Sequence, residues 1–96
     1  MRVVIKEPSG RPHVAEIDNT LEALQAAVGG YIESVALFTD LAVICNEEGR
    51  LKGMPFNCEV CGIGFVGPIV FVGVAGDAFA DLSDTGVELI TKRMVL

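Results

Sequence analysis

The sequence predicts an α+β fold in which two helices pack on one face of a mainly antiparallel sheet. Runs of β-branched and aromatic residues follow one another with few helical stretches between them, which disfavours a doubly wound parallel sheet. Apolar residues recur at helical spacing in only two places, before Gly29-Gly30 and near the C-terminus. The chain has 96 residues, 51% of them apolar and 21% charged. That length suits a single domain over 1–96, and that composition excludes a disordered tail.

Val3, Val4 and Ile5 predict a first strand, ended by the breakers Pro8-Ser9-Gly10-Arg11-Pro12. His13 to Ile17 predicts a second strand that pairs with the first as a hairpin, with His13, Ala15 and Ile17 on one face. Asn19 stands as a helix N-cap with Glu22 three positions on, and Leu21, Leu24 and Val28 give the helix an apolar stripe. Gly29-Gly30 ends it, because the residue after a helix often takes a left-handed conformation. Tyr31 to Phe38 and Leu41 to Cys45 predict two antiparallel strands joined at Thr39-Asp40, and Asn46-Glu47-Glu48-Gly49 a polar turn. Leu51 to Gly64 shows neither period and is expected as loop. Pro68 opens the most hydrophobic strand, Ile69 to Val74, expected at the sheet's centre. Ser83 and Asp84 start a last helix with Val87, Ile90 and Met94 on its apolar stripe and Lys92 and Arg93 near its C-terminus. Gly86 weakens that helix by about 1 kcal/mol relative to alanine.

Thirteen acids against seven bases give a net charge of −6, which opposes nucleic-acid binding. The apolar run from Ile63 to Ala75 is shorter than the roughly twenty residues a membrane span needs. It is expected as core, with no membrane partner. The early residues lack an export signal, and three cysteines, an odd number, suit a reducing, cytoplasmic setting.

Cys58-Glu59-Val60-Cys61 is a single CxxC knuckle whose further candidates are Cys45 and His13. A structural zinc site usually shows a second knuckle, so reduced thiols and no metal are expected. A lone histidine cannot supply an activated triad for Ser9, Ser34 or Ser83, so no catalytic residue and no cofactor is assigned. Gly62-x-Gly64-x-x-Gly67 does not sit in a strand-to-helix turn and is not read as a nucleotide loop. A mid-chain group is more promising. Gly30, Tyr31, Asn46, Glu47 and Asn57 lie at the ends of apolar strands and suit a small polar molecule, with a glycine-bared backbone, a phenol for stacking and amides that donate and accept. The plainer account is that the glycines cap a helix, Asn46 shapes a turn and Asn57 pins a loop.

Gly29-Gly30-Tyr31-Ile32-Glu33, Ile44-Cys45-Asn46-Glu47-Glu48-Gly49, Met54-Pro55-x-Asn57, Gly67-Pro68-Ile69-Val70-Phe71-Val72 and Asp81-Leu82-Ser83-Asp84 together resemble a known family. It comprises small proteins of phages, plasmids and integrated elements, and of gut bacteria that host them, grouped as domain of unknown function thirty-eight forty-six. The likeness runs from Val3 to Ile90 and is strongest mid-chain. It implies a cytosolic location and a link to mobile DNA, and it carries no reaction. Cys58 and Cys61 stand where relatives commonly have basic or aliphatic residues, which weakens a shared metal site.

Three functions follow as expectations. The first is a non-catalytic binder of a small polar or nucleotide-like ligand, for which Arg50 and Lys52 are the nearest cations. The second is an interaction module that pairs with itself as a homodimer or inhibits a host protein. A thiol or zinc enzyme using Cys58 and Cys61 is the third and weakest, and the protein is not expected to be an enzyme.

Overall fold

A computed structural model describes residues 1–94. In chain order it contains β1 (Arg2–Lys6), β2 (His13–Glu16), α1 (Leu21–Val28), β3 (Ile32–Phe38), β4 (Leu41–Asn46) and β5 (Phe56–Val60). Then come β6 (Ile63–Val66), β7 (Ile69–Ala75), β8 (Ala78–Ala80) and α2 (Asp84–Leu89), which runs into a π-helical turn at Ile90–Met94. The end of the expected domain, 95–96, and the expected roles of the Arg93 and Met94 side chains fall outside the described part.

The main sheet has six strands, ordered β2-β1-β7-β4-β3 with β8 also on β7, and every pairing is antiparallel. This is the α+β architecture read from the sequence, with β7 at the centre and the β1–β2 and β3–β4 hairpins as expected. β8 takes the same side of β7 as β1, since Gly73 pairs with Leu41 of β4 on one side and Ala80 on the other.

The helices do not share a face, which corrects the expectation. In strands, successive side chains point to opposite sides. Val3, Ala42, Ile44, Val70 and Val72 pack with Leu24 and Val28 of α1. Val4, Leu41, Val43, Cys45, Ile69 and Phe71 pack with Leu82 and Ile90 around α2, and with Cys58, Val60 and Phe65 of a second, two-stranded sheet. The physical reason is the lack of alternation in β4 and β7. A strand apolar at every position must be covered on both faces, and β4 is buried at all six of its residues.

That second sheet, β5–β6, forms where a loop was expected. Its hairpin turns at Cys61 (φ 51°) and Gly62 (φ 80°), a primed turn that matches strand twist. A register shift between Phe56 and Cys58 breaks the two-residue alternation. The N-cap of α1 is Thr20, whose Oγ1 accepts the Ala23 N–H at 3.1 Å. Asn19 instead donates to the Phe79 carbonyl at 3.0 Å. Ser83 caps α2 as expected, accepting the Gly86 N–H at 3.0 Å.

Candidate functional site

Four of the five predicted ligand residues meet at one rim, where α1 ends and the β3–β4 ladder begins. Gly29 takes a left-handed φ of 81°, and the N–H groups of Gly29 and Gly30 both donate to the Gln25 carbonyl, at 2.8 and 3.0 Å. Asn46 closes the rim from β4. Its Nδ2 donates to the Val28 carbonyl at 3.1 Å, satisfying a helix-end acceptor, and its Oδ1 accepts the Glu48 N–H at 2.8 Å in an Asx turn. A Cβ on Gly30 would lie 3.0 Å from Asn46 Nδ2 and 3.3 Å from Lys52 Nζ, so the bare backbone here makes room for the turn. The Tyr31 carbonyl accepts the Glu47 N–H at 2.8 Å, while the Tyr31 side chain is 65% exposed. Gly30 and Tyr31, with Gln25, Glu48 and Lys52, line a depression of about 180 Å³.

Asn57 is placed differently. It is buried, its Oδ1 accepts from Lys6 Nζ at 2.7 Å, and its Nδ2 donates to the carbonyls of Lys6 and Gly67, both at 2.8 Å. It therefore ties the β5–β6 hairpin to β1 and to the entry of β7, and it does not line the depression. Asn46 and Asn57 both spend their amides on protein groups.

Sequence reasoning missed a second feature beside the rim. A cleft of about 250 Å³ runs between the edge of the main sheet and β6. Glu33, Val35 and Cys45 line one side, Ile63, Phe65 and Val66 the other, and Glu47, Arg50 and Leu51 the mouth. Arg50 donates through Nη2 to the Gly64 carbonyl at 2.8 Å. β3 itself is the sheet's last strand. Hydrogen-bonded and non-bonded pairs alternate along an antiparallel ladder. Since the Tyr31 carbonyl bonds to Glu47, Glu33 and Val35 turn their backbone groups toward β4, and those of Ile32, Ser34 and Ala36 face outward. The missed signal was the order of strands: an edge strand has no distinctive composition until its neighbours are known. A wider, shallower groove of about 680 Å³ between α1 and the β1–β2 hairpin contains none of the predicted residues.

The thiols divide by environment. Cys45 Sγ donates to Glu33 Oε1 at 3.9 Å, and burial, reinforced by the Glu33 carboxylate, pushes its pKa from 9.0 up to about 11. Burial also raises Cys58, opposed by the nearby Lys6 ammonium. Cys61 is exposed at the hairpin turn. A disulfide-exchange reagent at pH 8 is expected to titrate one thiol rapidly and the other two only as the protein opens, with all three rapid in denaturant. The folded state binds the Cys45 proton more tightly than the unfolded chain, so this thiol's contribution to stability is full below pH 9 and lost as pH rises toward 11. Urea melts across that window, compared with Cys45→Ser, check the sign.

Among the described residues no group of three or more His, Cys, Asp and Glu side chains is arranged to hold a metal ion, and no helix is long and apolar enough to cross a membrane. The family model described as domain of unknown function (DUF3846) matches residues 1–95. No curated protein and no solved structure matches the chain.

Proposed function

The chain belongs to the DUF3846 family, whose description names no activity, and from the site's geometry we propose that it is a protein-interaction module that accepts an extended partner strand along β3. One observation carries the reading. β3 is a seven-residue edge strand with three residues' N–H and C=O groups facing outward, and it has neither proline nor lysine to deter pairing. Strand addition uses such edges, with main-chain bonds giving affinity and adjoining pockets giving specificity. Exposed Phe38 at one end of the strand and exposed Leu51 and Ile63 across the cleft supply apolar contact area.

A randomised octapeptide display library panned on the immobilised protein tests it, with Ser34→Pro as the counter-target. Proline there removes an outward N–H and spares the bonds to β4. Peptides are expected to enrich on the wild type and fail on the variant. Equal enrichment on both, or none on either, overturns the reading.

A second reading, a binder of a small polar or nucleotide-like ligand, has the depression at Gly30 and Tyr31 behind it. The open phenol face offers stacking and Lys52 an ammonium for phosphate, although Glu48 sits 3.8 Å from that ammonium. A rise in melting temperature with nucleotide in large excess, abolished by Tyr31→Ala, would favour this reading over the edge. A cytoplasmic location and a link to mobile DNA belong to the same proposal. The three unpaired thiols support the first, and the sequence likeness supports the second.

A further inference from the structure

We propose that the strand received by β3 is a basic segment of another protein, with a lysine or arginine beside Glu33 and Glu47 and apolar side chains over Val35 and Leu37. This rests on the edge reading and names the chemistry of the partner. A strand paired with β3 sends every second side chain to the face that holds Glu33, Val35 and Leu37, and cross-strand neighbours there approach to about 5 Å. Val35 and Leu37 pack on the core cluster at this face, and the cleft opens beside Val35. Its far wall is Ile63 and Phe65, with Leu51 at the mouth. The incoming face is therefore apolar at one end and acidic at the other.

Charge selects the occupant. Two carboxylates and one guanidinium line the cleft, and that guanidinium already donates to the Gly64 carbonyl. The Cys45 thiol donates to Glu33, which fixes one carboxylate at the cleft wall. At −6 overall, the protein attracts a basic segment and repels an acidic one at long range. A second copy is disfavoured on two counts. Each copy would bring the same −6, and antiparallel pairing of two β3 strands about Ser34 or Val35 would set Glu33 against the apolar Val35 or Leu37 of the other copy.

Fluorescence anisotropy with labelled, end-blocked octapeptides tests the inference. The peptides alternate valine and threonine and carry lysine at either the first or the last inward position. Norleucine replaces lysine in the controls, and a further peptide is N-methylated at alternate residues to block pairing. One lysine peptide is expected to bind roughly fivefold tighter than its norleucine control at low salt, with the gap closing at about 1 M salt, where charges are screened within about 3 Å. Glu33→Gln combined with Glu47→Gln should remove the gap between the lysine and norleucine peptides, and the N-methylated peptide should not bind. Equal binding of the lysine and norleucine peptides overturns the basic partner and leaves the edge reading standing. Binding of neither, joined with an unenriched display library, overturns both. A dimer in sedimentation equilibrium that Ser34→Pro dissociates overturns the inference in favour of a second copy.

Discussion

Replacing Asn57 with leucine is expected to lower folding stability by about 4 kcal/mol, read as a fall in the urea midpoint at unchanged slope. Lys6 is only 6% exposed, and its ammonium has two acceptors, Asn57 Oδ1 at 2.7 Å and the Glu7 carbonyl at 3.3 Å. Leucine removes the better one and leaves a buried cation with a single long contact. It also strands the Lys6 and Gly67 carbonyls that Nδ2 now satisfies. Each orphaned buried acceptor costs about 1–3 kcal/mol, and a charge costs more. Asn57→Asp, which offers the ammonium a carboxylate, does not escape, because it turns an oxygen toward those two carbonyls. Lys6→Met combined with Asn57→Leu should cost less than the sum of the single changes, since the cation that needs the amide is gone. A loss under about 1 kcal/mol for Asn57→Leu would show that the amide is not needed to hold the fold and would return it to the list of ligand groups.

The misplacement of Asn57 shows where sequence reasoning reaches its limit. The strands that carry an uninterrupted apolar run or a clear turn, β1, β4 and β7, could be read directly, because burial on a sheet leaves a period of two or none. The end of α1 was equally plain, since Gly29 takes the left-handed conformation that its position requires. β5 and β6 were hidden by the register shift at Asn57 and by a turn whose first residue is a cysteine at φ 51°, a conformation in which glycine or asparagine is the usual signal. The rim of Gly30, Tyr31, Asn46 and Glu47 was found because those residues flank one hairpin and are near neighbours in any fold that keeps it. Asn57 comes from another sheet, and its partners, Lys6 and Gly67, lie 51 and 10 residues away. No local pattern joins them. The opposed helices follow the same rule: the doubly buried pattern of β4 was present in the sequence, yet which helix covers which face depends on the path of the chain after β8.

That path is the reason Gly73→Ala is expected to be as damaging as a core deletion, with a loss of about 3 kcal/mol or more in a urea melt. Gly73 sits on the face of β7 that carries Phe71, and a Cβ there would drive into the backbone oxygens of Ala80 and Asp81. Those atoms belong to the segment that leaves the sheet at β8 and crosses Gly73 to begin α2. Arg2 clasps the crossing. Its N–H donates to Asp81 Oδ1 at 2.8 Å, its carbonyl accepts the Leu82 N–H at 2.9 Å, and its Nε donates to the Leu82 carbonyl at 2.9 Å. A methyl group cannot be accommodated by rotating a flexible side chain, because the obstructing atoms are main chain. The segment must lift, which breaks the clasp and withdraws Leu82 and Ile90 from the core they help to seal. Gly76 provides the contrast. Its φ is 65° and a Cβ there would meet nothing within 4 Å, so Gly76→Ala carries only the left-handed penalty of about 1–2 kcal/mol. Gly73 itself lies in ordinary strand conformation, so a loss there no larger than the one at Gly76 would mean that the chain crossing above β7 yields to a methyl group and does not require glycine at 73.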